Sequence, residues 1–161
     1  MNRSRIAGAM TGFAVALFCP ERPALAEGVI LSITGRIEGE SARFTRAELE
    51  AFEQHSLQTS TSVTDGVREF EGFLMRDLMA AVGATGDSVE ALALNGYQIA
   101  IPIADFERFD VLGALSMDGA RLSPRDKGPI WIVYPRDAHL ELDDIRYDMR
   151  WVWQLQALDV R

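Results

Sequence analysis

The polar and apolar positions of this chain change period about halfway along. Val29 to Ile33 is a short apolar run closed by Gly35 and predicts a strand. Thr45-Arg46-Ala47-Glu48 has the spacing of a capping box, in which the threonine oxygen and the glutamate each meet a free backbone N–H. Leu49 and Phe52 give the helix that follows an apolar stripe. Ser56 to Gly66 is polar and rich in hydroxyls, which fits a loop or an edge strand. From Phe73 to Val82 the apolar residues Leu74, Leu78 and Val82 recur at helical spacing, and Gly83 stands where a left-handed cap is expected.

Beyond Gly83 the alternation becomes twofold and the turns short. Val89 to Leu94 and Tyr97 to Ile103 flank Asn95-Gly96, a hairpin signal because both turn residues tolerate positive φ. Val111 to Met117 and Ala120 to Leu122 flank a second such pair, Asp118-Gly119. Gly128-Pro129 opens the nearly continuous apolar run Ile130 to Tyr134, a buried strand that Pro135 stops. Asp137 to Asp148 is acidic and irregular, and Trp151 to Val160 reads as the last strand. Two early helices among six or seven short strands predict an α+β fold rather than a wound parallel sheet.

The first residues have the form of an export signal. Arg3 and Arg5 precede the apolar stretch Ile6 to Phe18, and Ala24-Leu25-Ala26 offers a small-residue cleavage site before Glu27. The stretch is shorter than the roughly 20 residues that span a bilayer, so a cleaved signal over 1–26 is expected in place of an anchor. Residues 27–161 then form a single periplasmic domain with no direct membrane insertion. Cleavage removes Cys19, the only cysteine, so no disulfide is expected in the exported chain. It also removes Arg3, Arg5, Arg22 and Glu21, leaving 13 basic and 23 acidic residues. So acidic a surface repels phosphate backbones, and nucleic acid is not an expected partner.

Groups for catalysis are few. His55 and His139 are the only histidines, and neither has a zinc-ligand spacing. His55 is expected at a helix end, and Asp143 and Asp144 as solvated loop charges. Ser60 and its neighbours lack a nucleophile elbow, and no Gly-rich phosphate loop occurs. The aromatics stand out more. Trp131, Trp151 and Trp153 fall in the last third, with Trp151 and Trp153 on one strand face by alternation. They serve either the core or a stacking wall for a flat heterocycle. In the second case Arg125, Lys127 and Arg150 can hold ring oxygens, and Asn95 or Asp105 can read ring N–H groups.

Several short motifs follow one another: Phe70-Glu71-Gly72-Phe73 before Arg76-Asp77-Leu78, Asn95-Gly96-Tyr97 with Ile101-Pro102-Ile103, and Met117-Asp118-Gly119 with Leu122. Gly128 to Pro135 and a tryptophan-bearing last strand complete the series. This succession, from Val29 to Val160, resembles the molybdopterin-binding domain of the sulfite oxidase superfamily. It looks most like the small exported branch, some of whose members bind simple pterins and control membrane proteins that make or degrade cyclic di-GMP. The resemblance implies that superfamily's fold, with mixed sheets of short strands and two or three helices. It also implies a pterin pocket drawn from Ser60, Asn95, Tyr97, Asp105, Arg125, Lys127, Trp131, Tyr134, Arg150 and Trp153.

Departures from the enzymes' pattern shape the functional expectation. Where the enzymes carry a metal-binding cysteine, counting back from Phe70 reaches Ser60, a much weaker ligand for a soft metal. Where they favour phosphate-holding Arg and Lys, this chain has Trp131 and Trp153. The expectation is therefore a non-catalytic protein that binds a pterin without molybdenum and relays its occupancy to the periplasmic domain of a membrane signalling protein. Acidic residues 137–148 either form part of the partner surface or are a plain solvated loop. The alternatives are a molybdopterin-dependent oxidoreductase, an accessory subunit of a redox complex, and an interaction domain without a ligand.

Overall fold

The computed structural model describes residues 28–161, so the expected leader, with Cys19, lies outside the described residues. The chain runs β1 (Val29–Gly35), β2 (Ala42–Thr45), α1 (Arg46–Glu50), β3 (Gln54–Ser60), β4 (Val67–Leu74) and α2 (Met75–Ala81). It continues β5 (Ser88–Ala93), β6 (Gln98–Pro102), α3 (Ile103–Arg108), β7 (Leu112–Met117) and β8 (Ala120–Arg121). It ends β9 (Trp131–Val133), α4 (Ile145–Asp148) and β10 (Leu155–Val160). The strands make two five-stranded sheets. One has the order β2-β1-β10-β5-β6, and in the other β3-β4-β7-β8 is joined by β9 on β7. Among the described residues only β1 and β10 pair in parallel, with Ser32 opposite Ala157 and Gly35 opposite Val160, and the other ladders are antiparallel.

Alternation decides which side chains enter the core. Leu31 and Ile33 of β1, and Val89, Ala91 and Ala93 of β5, are buried while their neighbours along each strand are less so. From the second sheet come Phe70, Phe73, Leu112, Ala114 and all of β9, and together these make one continuous apolar core. Strands β4 and β7 approach closely at Gly72, where a Cβ would lie 2.1 Å from the Gly113 carbonyl oxygen. Arg46, at the start of α1, is buried and donates to the carbonyls of Leu115, Leu122 and Pro129 at 3.0–3.3 Å, tying α1 to the second sheet.

The architecture is mixed α+β, with four short α-helices among the described residues. The capping box forms as expected: Glu48 N–H donates to Thr45 Oγ1, and Thr45 N–H donates to Glu48 Oε2 at 2.7 Å. Residues 56–60 of the hydroxyl-rich stretch belong to the edge strand β3, which starts at Gln54. His55 lies in that strand and not at a helix end. Helix α2 starts at Met75 and not at Phe73, because Phe73 and Leu74 pair with Gly113 and Leu112. Asp118 and Gly119 both adopt positive φ, but in the first hairpin only Gly96 does, at the end of a three-residue connection. Helix α3 was not expected; it replaces the end of the strand foreseen through Ile103.

The last strand is shorter than expected, starting at Leu155. Residues 151–154 bend, Gln154 has φ 55°, and this segment lies against 127–132. There Gln154 N–H donates to Lys127 O, Leu155 N–H to Ile130 O and Ile132 N–H to Val152 O, all at 2.9–3.0 Å. Trp151 and Trp153 are therefore placed by this bend and not by strand alternation. The acidic stretch before it is also ordered, as two 3-10 turns (136–138 and 140–142) followed by α4. Among the described residues no helix is long and apolar enough to cross a membrane.

Candidate functional site

A cleft of about 370 Å³ opens between the hairpin turn at Asn95, the end of β3, helix α4 and the 151–154 bend. That volume lies within the range of small-molecule sites. Trp151 and Trp153 form one wall and Tyr97 and Asn95 another, while Ser62, Val63, Ile145, Asp148 and Met149 complete the lining. Trp153 and Tyr97 are partly exposed, so aromatic surface faces solvent here. Two hydrogen bonds fix the hairpin side. Asn95 Oδ1 accepts from Tyr97 N–H at 2.9 Å, and Tyr97 Oη donates to the Met149 carbonyl at 2.8 Å. The second bond joins the turn to the residue after α4.

Behind the cleft stands a buried aromatic base. Trp131 is fully buried, and its ring meets Phe70, Trp151 and Trp153 edge to face at 5.3, 6.4 and 6.3 Å. Sealed in this way, Trp131 cannot stack on a ligand as expected from the sequence. It supports the two indoles that line the cleft. Tyr134 is likewise fully buried, with its ring stacked on Trp151 at 6.3 Å. Its hydroxyl donates to Asp105 Oδ2 at 2.9 Å, and Arg150 donates to the same oxygen. Burial, and then the Asp105 charge, push the Tyr134 phenol far above its ordinary value and keep it protonated. The Arg150 guanidinium also lies 4.8 Å above the Tyr147 ring. Asp105, Tyr134 and Arg150 thus bind one another and brace the 147–151 wall from α3 and from the residue after β9.

The remaining expected residues lie outside the cleft. Ser60 donates from Oγ and from its backbone N–H to the two carboxylate oxygens of Asp137, at 2.5 and 2.6 Å. It belongs to a neighbouring depression that shares Ser62 with the cleft. Arg125 is exposed on the turn before Gly128. Lys127 sits 5.8 Å from the Trp131 ring centroid and pairs with Asp126. Of the ten expected residues, Asn95, Tyr97 and Trp153 line the cleft.

The arginines around the cleft are already paired. Arg136 donates to both Asp143 and Asp148, and the hydrogen bond to Asp143, aided by the charges of both carboxylates, holds its guanidinium all the more firmly protonated. Arg146 pairs with Asp144, which also accepts the Arg146 N–H as the cap of α4. Those two contacts pull the Asp144 carboxyl down to about 2. Asp143 is solvent-exposed, as expected of a solvated loop charge, while Asp144 is partly exposed and caps α4, and each carboxylate pairs with an arginine. This donor set fits poorly to a molybdenum cofactor. Ser60 Oγ is engaged by a carboxylate, the guanidinium groups nearby are neutralised, and among the described residues no cluster of three His, Cys, Asp or Glu is placed to hold a metal.

Five lining residues were not foreseen in the sequence: Ser62, Val63, Ile145, Asp148 and Met149; Trp151 was read there as serving either the core or a stacking wall. Ser62 and Val63 sit past the end of β3, and nothing local marks them. The 145–149 group carried a signal, because Ile145 and Met149 are apolar residues four apart behind an Asp cap.

Fold and cleft together define a mixed α+β domain of two sheets with an indole-walled cavity at one edge. No protein-family model matches the chain, and no curated protein matches it. Among solved structures the chain is similar to the sulfane dehydrogenase SoxCD from Paracoccus pantotrophus, with a TM-score of 0.62 and 19% identity. The match covers 81% of this chain and 37% of that chain. The likeness is one of fold, and this chain spans well under half of its counterpart.

Proposed function

We propose that this chain is a periplasmic pterin-binding protein of the sulfite oxidase-type fold that performs no catalysis. It relays the occupancy of its cleft to a membrane partner such as a cyclic di-GMP cyclase or phosphodiesterase. The observation that carries the reading is the partly exposed Trp153 beside Trp151 and Tyr97, in a cavity large enough for an aromatic bicycle. An indole face suits a flat conjugated ring. The paired state of Arg136, Arg146 and Arg150 favours a ring without a phosphate. Signalling further requires that the ligand bind the partner-competent and incompetent states unequally, since equal binding shifts nothing. The cleft lies between α4 and the Asn95 turn, so a ligand touching both is positioned to couple them.

Titration of the purified protein with oxidised and reduced pterins, followed by tryptophan fluorescence, tests the reading. Quenching that saturates is expected, together with a pterin released from natively purified protein and seen by mass spectrometry. Absence of both signals would end the proposal. The second reading, a molybdopterin-dependent oxidoreductase or an accessory subunit of a redox complex, draws on the fold likeness to SoxCD. It requires close to one molybdenum per chain in the natively purified protein, or co-purification with a redox subunit. Elemental analysis and pull-down separate it from the first.

A further inference from the structure

The cleft holds a single carboxylate among mainly apolar and aromatic walls, and that carboxylate is only half engaged. Asp148 Oδ1 accepts from Arg136 at 3.0 Å, and among the described residues no hydrogen bond reaches Oδ2. Arg136 is shared with Asp143, so one guanidinium faces two carboxylates and the trio keeps a net negative charge. The other cations of this wall are committed elsewhere, Arg150 to Asp105 and Arg146 to Asp144. A ligand that enters therefore meets aromatic faces and one acceptor-only group bearing unbalanced negative charge. An ionised carboxylate has no proton to donate, and its lone pairs are best matched by an adjacent N–H and NH2 pair.

We infer that Asp148 determines ligand specificity in this cleft, selecting flat heterocycles that present an amidine-type donor edge and rejecting ring carbonyls and phosphate at that position. The inference rests on the pterin reading and sharpens it. The 2-amino group and N3–H of a pterin are such an edge. The Arg136 contact is what orients Asp148, because it fixes one oxygen and leaves the other for the ligand.

Lumazine supplies the test, since it keeps the bicycle of pterin but has a carbonyl in place of the 2-amino group. Fluorescence titration of the wild-type protein is expected to give tighter binding of pterin than of lumazine by about tenfold to a hundredfold, the value of charge-assisted hydrogen bonds. Asp148→Asn, whose amide offers one acceptor and one donor, is expected to weaken pterin, spare lumazine and erase most of the difference. Equal wild-type affinities for the two rings would overturn the inference while leaving a pteridine site intact. So would an Asp148→Asn protein that binds and still discriminates. If neither ring binds the wild type, both the inference and the pterin reading fall. The wild-type ratio needs no variant, so poor folding of Asp148→Asn cannot mask the outcome.

Discussion

Trp131 separates support from contact more sharply than any other position. Its ring is fully buried and is packed edge to face against three aromatics. Trp131→Ala should therefore cost about 3–5 kcal/mol, the usual range for a core aromatic. The indole Nε1–H, however, is buried without a hydrogen-bond partner. An orphaned donor penalises the folded state by about 1–3 kcal/mol. Trp131→Phe removes that donor together with part of the ring, so two effects of opposite sign nearly cancel. The net change should stay within about 1 kcal/mol, well short of the alanine cost. Trp153 is only partly exposed and touches the same cluster from the cleft side, so Trp153→Ala should cost about 2 kcal/mol. Its main effect should instead be a loss of pterin affinity of at least about tenfold, as a stacking surface disappears. Urea unfolding followed by circular dichroism gives the stabilities, and fluorescence titration gives the affinities. If Trp131→Phe destabilises as much as Trp131→Ala, the supporting role and the orphaned N–H are both misread. If Trp153→Ala is as costly as Trp131→Ala and leaves pterin affinity unchanged, the indoles serve packing alone.

Further predictions concern the groups that brace the cleft. Tyr134→Phe should lose about 1–3 kcal/mol, because buried Asp105 keeps only Arg150 as a side-chain partner. The folded protein holds the Tyr134 proton that an unfolded chain releases above about pH 10, so stability falls as pH rises beyond that point. One proton gives a slope of at most about 1.4 kcal/mol per pH unit, and Tyr134→Phe should flatten wild-type urea curves by that component. Asp144 behaves in the opposite sense: its carboxyl lies below the ordinary 3.8, so its contribution is complete above that pH and fades as the solution is acidified toward about 2. Amide-exchange protection at Arg146 to Met149 should drop across that window, and Asp144→Ala should show low protection already at neutral pH. Arg46→Met leaves three carbonyls without their buried donor and should cost about 3 kcal/mol or more in urea unfolding; a loss under 1 kcal/mol would show water taking its place.

Most elements were legible because their signals are local. The capping box at Thr45, the Asp118-Gly119 turn, the apolar run of β1 and the alternation of β5 each follow from neighbouring residues, and each forms as read. Where the reading slipped, a distant partner prevailed. Phe73 and Leu74 have helical spacing with Leu78, yet they complete the β4–β7 ladder, where Gly113 leaves room for the Phe73 ring. The strand foreseen from Trp151 is broken because its backbone bonds to Lys127, Ile130 and Ile132. No local pattern reveals which of two competing ladders wins.

The sequence alone determined the α+β class, the placement of most strands and the concentration of tryptophan near the C-terminal end, since these depend on periodicity, turn chemistry and composition. Only the tertiary structure decided which aromatic supports and which is offered to a ligand. Trp131 and Trp153 meet edge to face, yet one is sealed by Phe70 and the core while the bend at Gln154 leaves the other at a cleft. The same holds for charge. Asp105 and Arg150, 45 residues apart, neutralise each other, while Asp148 keeps an unengaged oxygen because its partner Arg136 is divided between two carboxylates. Burial and pairing are properties of neighbours in space, and the order of residues along the chain does not contain them.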